Sequence, residues 1–310
     1  MDIFVSFWGT RGSIPTPGFR TSRFGGNTAC LELHTNNTLV VCDGGSGMRE
    51  LGLDMLDRNL DAVTGHLFFS HTHWDHIQGF PFFPPVYDPR NTFYVYTSGP
   101  DDRTFELLTG QMKSDYFPVE FSELRARVER RDLDAVGGRV GDFQVDSLAL
   151  NHPGGATGFR FRCGDVKIVY LSDHELDTLL DNRQQALDSP DLPRQIPQRF
   201  LDFAGGADLL VADGQYGDAE YLQRVGWGHS RATTLVDLAL QAKVKQLAVT
   251  HHDPMQSDED VDAKIRACRR RAQSLEGSRL VIFGAREGVQ LRFETGTFPR
   301  SGGDTLERPL

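Results

Sequence analysis

Three of the ten histidines fall within one short stretch, His71-Thr72-His73-Trp74-Asp75-His76, directly after the apolar run HLFFS. A loop leaving a strand end can turn back so that its side chains converge. His71 and His73 then point to one spot, while Asp75 and His76 reach a neighbouring one. Imidazole and carboxylate are the donors that borderline divalent ions such as Zn²⁺ prefer. The segment therefore calls for a fold in which a strand terminates on a metal.

The surrounding sequence shows what scaffold could carry such a loop. Residues 2–8, 28–34, 38–42 and 66–70 are rich in β-branched and aromatic residues and predict strands. Between the third and fourth, Met48, Leu51, Met55 and Leu56 recur at helical spacing, with Asp43-Gly-Gly-Ser-Gly as the turn before them. Prolines in GFPFFPPVYDP (79–89) exclude a helix interior or a central strand and predict a loop. Strands are expected at 92–97, 142–150, 158–163, 166–171, 207–213, 246–250, 279–283 and 288–293. Helices are expected at 101–113, at 230–243 with Ser230 at its start, and near 257–275. The polar, Pro-rich stretch 177–200 reads as a surface excursion.

At 310 residues, 39% hydrophobic and 25% charged, the chain fits one globular domain over 1–296, with a frayed tail at 297–310. A net charge of -10 disfavours a polyanion as the main partner. No window approaches the ~20 apolar residues of a membrane span, and MDIFVSFWGT does not read as a signal peptide. No membrane partner and a cytoplasmic location are expected. Cys30, Cys42, Cys163 and Cys268 form no C-x-x-C pair and read as reduced core residues.

Further polar residues stand where a strand-end site needs them: His152 after VDSLALN, Asp173 after VKIVYLS and His251 after KQLAVT. In this order, H-x-H-x-D-H, then His, then Asp, then His, the chain resembles the metallo-β-lactamase superfamily of dinuclear metallohydrolases. The resemblance implies an αββα four-layer sandwich of the α/β class. It assigns His71, His73 and His152 to one metal, Asp75, His76 and His251 to a second, and Asp173 to both. It gives Asp43 a structural place beneath the metal loop. His252 adjoins His251, so the last ligand is one of the two, with His251 favoured. His34 and His66 read as satisfied or solvated histidines; His174, between Asp173 and Glu175, could line the site.

Gly228-His229-Ser230 ahead of a helix resembles the extra histidine motif of the phosphodiesterase branch, shared by tRNA 3′-end endonucleases and phosphoribosyl cyclic phosphodiesterases. β-Lactamases lack it. His229 is the candidate proton donor to a leaving alkoxide, with Glu175 as its orienting carboxylate and Asp75 among the catalytic residues. Two divalent ions, zinc first and manganese or iron as alternatives, would supply a bridging hydroxide. Arg11, Arg23 and Asn27 on Gly-rich loops are candidates to hold phosphate oxygens, and Phe80, Phe82 and Phe83 to stack a base. Solvated arginines and a packed aromatic loop are the competing readings. The leading expectation is hydrolysis of a small phosphodiester, a cyclic nucleotide or cyclic sugar phosphate. The alternatives are a tRNA 3′-processing endonuclease, whose basic projecting arm is not identifiable here, and a non-catalytic metal-bound nucleotide sensor. Nucleic acid is thus the less favoured partner. A homodimer is expected from the resemblance alone.

Overall fold

The computed structural model describes residues 1–58, 62–97, 103–189, 191–275, 279–296 and 304–307. Strands β1 (Asp2–Gly9), β2 (Cys30–His34), β3 (Leu39–Cys42), β4 (Thr64–Phe68), β5 (Thr92–Thr97) and β6 (Arg127–Asp132) enter a first sheet. Strands β7 (Arg139–Val140), β8 (Phe143–Leu150), β9 (Ala156–Cys163), β10 (Val166–Leu171), β11 (Leu209–Asp213), β12 (Gln246–Thr250) and β13 (Val281–Gly284) build a second. The chain then returns to the first through β14 (Val289–Glu294) and β15 (Asp304–Glu307). The sheet orders are β15-β14-β1-β2-β3-β4-β5-β6 and β13-β12-β11-β10-β9-β8-β7.

The chain divides into two compact units. One comprises Met1–Thr16, Gly25–Val145 and Arg286–Leu310, the other Pro17–Phe24 and Asp146–Ala285. Neither is continuous in sequence, so no linker marks a boundary within the stretch that composition presents as one domain.

In the first unit, helix α1 (Gly47–Asp57) lays Met48, Leu51 and Met55 into a core with Phe69, Phe80, Phe83 and Phe93. Gly52 allows this: a Cβ there would sit 2.5 Å from Pro84 and 2.8 Å from Phe83. The Pro-rich segment facing it is no plain loop. After the short helix α2 (Trp74–Ile77) it winds as two 3₁₀ turns, Phe80–Phe82 and Pro84–Tyr87. Proline suits a first helical turn, where its missing N–H costs nothing. Helix α3 (Thr104–Gly110) lies inside the expected 101–113, whose first two residues fall outside the described ones. Strand β6, RVERRD, was not expected; it lies at a sheet edge with no residue fully buried, and charge at an edge hides a strand from pattern reading.

In the second unit, β10, β11 and β12 run parallel, and all five residues of β11 are buried. A parallel strand covered on both faces reads as an unbroken apolar run. Helices α4 (Arg183–Asp188) and α5 (Gln198–Ala204) occupy and extend beyond the expected excursion, because Ala186, Ile196 and Phe200 are buried in this unit's core. After the short helix α6 (Asp218–Tyr221) come α7 (Ala232–Gln241) and α8 (Asp258–Ser274). Val261, Ile265, Cys268 and Ala272 of α8 form one buried stripe. The first turn of α8 also holds the Pro17–Phe24 segment: the Asp258 carboxylate accepts from the backbone N–H groups of Arg23 and Phe24 at 2.9 and 3.1 Å.

All four cysteines are buried and unbridged. Of the expected tail, Asp304–Glu307 pairs antiparallel with β14, while 297–303 and 308–310 lie outside the described residues. Among the described residues, no helix is long and apolar enough to cross a membrane.

Candidate metal centre

Each unit brings its polar residues together where parallel strands end. In the first, β3 and β4 are paired so that Cys42 faces Phe68, and Asp43 and the histidine loop leave the sheet side by side. Asp43 adopts a positive φ of 60°. Its carboxylate accepts from the Ser70 N–H at 2.7 Å and the Ser70 hydroxyl at 2.9 Å, and stands 2.9 Å from His76 Nδ1. The structural place expected for Asp43 is therefore the place it occupies. Gly44 zips the turn to the loop, donating to His76 O at 2.7 Å and accepting from Gly79 N at 2.8 Å. The rings of His71 and His73 are 4.4 Å apart and those of His71 and His76 4.3 Å. Asp75 Oδ2 accepts from the Ser13 N–H at 2.6 Å and stands 3.3 Å from His76 Nε2.

In the second unit, Asp173 follows β10, Asp213 ends β11 and His251 follows β12, three adjacent parallel strands. The Asp173 carboxylate turns Oδ2 toward His152 Nε2 (3.7 Å) and Oδ1 toward His251 Nε2 (3.2 Å). Asp173, Asp213, His229 and His251 each bring one donor atom to within 4.8 Å of the others, all of them buried. Asp173 and His251 have φ of 38° and 57°. Such backbone costs of order 1–3 kcal/mol per residue and persists where its surroundings fix it, commonly at functional sites.

Four of the imidazoles, those of His71, His76, His152 and His251, share one hydrogen-bond pattern. His152 Nδ1 donates to Gly228 O at 2.9 Å, His76 Nδ1 to Asp43, His251 Nδ1 to Gln215 Oε1 at 3.2 Å, and His71 Nδ1 to Ser70 Oγ at 3.1 Å. With the proton held at Nδ1, each ring keeps its Nε2 lone pair for a metal. Burial holds His152 below its ordinary pKa, against the opposing pull of Asp173, which favours the neutral ligand form. Imidazoles and carboxylates converging from strand ends suit a divalent cation.

Two histidines beside the cluster serve other ends. His252 donates from Nε2 to Ala285 O at 3.0 Å and meets Phe24 edge-on, so between the neighbours it is His251 that joins the cluster. His174 Nδ1 accepts from the Asn151 N–H at 3.0 Å and its ring lies on Phe200, so it belongs to the core. His34 pairs with Glu32, and His66 with the Tyr96 hydroxyl.

Several expectations are corrected. Glu175 does not orient His229. Its carboxylate accepts from the Tyr221 hydroxyl (2.8 Å), Gly226 N (2.7 Å) and Gly228 N (2.9 Å), fixing the loop that carries the histidine. The partner of His229 Nδ1 is Asp213, at 2.8 Å. Asp213 was missed although it ends an apolar strand, the same signal that singled out Asp173. Ser230 caps no helix: it accepts from Leu176 N at 3.0 Å and donates to His174 O. Arg11 is fully buried and donates from Nε to Gly25 O, so it is no phosphate clamp. Arg23 is spent on Asp262 (2.8 Å), Glu259 and Asp258 of α8. Asn27 is held between Glu287 and Ser46. Phe80 and Phe83 are core residues, Phe83 edge-on to Phe93; Phe82 is exposed and touches Phe117.

Ribonuclease Z of Haloarcula marismortui is 24% identical over 286 residues, covering 81% of this chain and 86% of its own. A diphosphatase from the PhnP family superposes with a TM-score of 0.61 at 17% identity, over 94% of this chain and 98% of that one. The short form of human tRNase Z does so with a TM-score of 0.58 at 17% identity, over 96% and 100%. These likenesses place the two mixed sheets and their helices in the metallo-β-lactamase fold. The family described as the Beta-lactamase superfamily domain matches residues 40–252. With strand-end histidines and aspartates in the expected order and more than half of its length matched, the chain belongs to the β-lactamase superfamily.

Proposed function

We propose that this chain is a metal-dependent phosphodiesterase acting on RNA, the tRNA 3′-processing endonuclease of the resemblance, a reading supported by its similarity to relatives named Ribonuclease Z. In this reading His71, His73, Asp75, His76, His152, Asp173 and His251 hold two divalent ions, zinc first among them. Bound there, such ions polarise the phosphodiester and bring a water's pKa toward neutrality. The observation that carries the reading is the pairing of His229, on the Gly-His-Ser loop, with Asp213 at the end of β11. With Nδ1–H given to Asp213, protonated His229 delivers the Nε2 proton to the departing alkoxide as the P–O bond breaks. Asp213 stabilises the imidazolium before the transfer. Such assistance is worth roughly 10²–10⁴ in rate.

The relatives weigh against the expectation that nucleic acid is the lesser partner. A small phosphodiester stays as the second reading, supported by the net charge of -10. A binding-only role is disfavoured because every expected ligand position carries a donor residue. The test is cleavage by zinc- or manganese-loaded protein of a precursor tRNA with a 3′ trailer, beside bis(p-nitrophenyl) phosphate and cyclic nucleotides. Endonucleolytic release of the trailer supports the proposal. Cleavage of cyclic nucleotides alone moves the substrate to the second reading. Inertness toward all diesters, with metal bound, overturns both.

A further inference from the structure

Lys264, on α8, is buried, and among the described residues its ammonium meets no carboxylate at hydrogen-bond distance. Nζ instead donates to the backbone O of Gln215 and to Gln256 Oε1, each at 2.9 Å. The same carbonyl accepts from Gln256 Nε2 at 3.3 Å, and the Gln215 N–H donates to Asp213 Oδ1 at 3.0 Å. Gln215 is thus clamped on both sides of its backbone. Its side-chain carbonyl faces His251 Nδ1 at 3.2 Å, while its amide nitrogen points to Asp253 at 3.5 Å. The amide orientation follows: oxygen toward the imidazole, nitrogen toward the carboxylate.

Resting on the metal-centre reading above, we propose that Gln215, locked by Lys264, is a positioning residue that holds His251 in the tautomer presenting Nε2 to the metal. Burying an ammonium against a carbonyl is expensive. Burial pushes Lys264 down to about 8, so it keeps its charge at neutral pH. What the cost secures is a rigid acceptor behind one ligand. Removing such a partner costs a ligand about 10–100-fold in metal affinity.

The experiment follows zinc release from loaded full-length protein into excess 4-(2-pyridylazo)resorcinol, without substrate. Wild type, Gln215→Ala, Gln215→Glu and Lys264→Met are compared, with far-UV circular dichroism and Tm recorded for each. Expected is roughly tenfold faster release of one zinc equivalent from Gln215→Ala. Lys264→Met shows a smaller acceleration, and Gln215→Glu, which keeps an acceptor at the same place, releases as slowly as wild type. Wild-type release from a folded Gln215→Ala overturns the proposal, as does equal acceleration of every equivalent or failure of Gln215→Glu to restore slow release. A wild-type protein that binds no zinc would instead sink the metal-centre reading itself.

Discussion

His229 Nδ1 lies 2.8 Å from Asp213 Oδ2, a contact that ties the end of β11 to the loop between α6 and α7. The carboxylate fixes both the ring's plane and its tautomer, with Nδ1–H kept on Asp213 and Nε2 the atom that gains and gives up the second proton. His229→Ala should retain metal yet slow cleavage of an alkyl-leaving diester by roughly 10²–10⁴, and much less with a p-nitrophenolate leaving group. Asp213→Asn should give the same selectivity at smaller amplitude. Equal losses on both substrates would remove His229 from the acid role.

Asp75 accepts the Ser13 N–H and faces His76, so the protein's own contacts set its direction. Asp75→Ala is expected to lower the metal content by one equivalent, measured by plasma mass spectrometry, and to abolish hydrolysis. Full turnover with that equivalent missing would contradict a two-metal mechanism.

The Glu175 carboxylate satisfies the Tyr221 hydroxyl at the end of α6 and two backbone N–H groups of the loop before His229. Glu175→Ala leaves the buried Gly228 N–H and Tyr221 hydroxyl without it, and buried unsatisfied donors cost about 1–3 kcal/mol each. Urea unfolding should show a loss on the order of 3 kcal/mol, and Tyr221→Phe about 1 kcal/mol. A stable Glu175→Ala variant with a shifted pH–rate profile would return Glu175 to the catalytic role first expected of it.

Arg23 is already faced by three carboxylates of α8. Arg23→Ala is expected to leave KM for a diester unchanged. A several-fold rise in KM would show that the side chain leaves helix α8 to bind phosphate.

Burial, with the nearby Arg131 charge, lowers His66 from 6.5 to about 4. Between those values the unfolded chain takes up a proton that the folded chain refuses, so stability falls as pH drops through this window. His66→Gln should shrink the difference in unfolding free energy between pH about 4.5 and about 7.5 by about 2 kcal/mol. An unchanged difference in urea titrations would show that His66 accepts its proton in the folded state.

The candidate ligands His71, His152, Asp173 and His251 were legible because each follows an apolar run, and the parallel strands β10, β11 and β12 announce themselves by burial on both faces. The polar edge strand β6 carried no such pattern. Nor did anything local distinguish Arg11, enclosed by its own unit, from a solvated arginine on a glycine-rich loop.

Sequence alone determined which donor atoms exist and in what order the strand ends supply them, since apolar periodicity and ligand chemistry are properties of short segments. Only the tertiary structure decided which carboxylate serves which imidazole. Asp213 rather than Glu175 meets His229, and Gln215 stands behind His251, because a hydrogen bond is settled within a few tenths of an ångström by elements that the chain order keeps far apart.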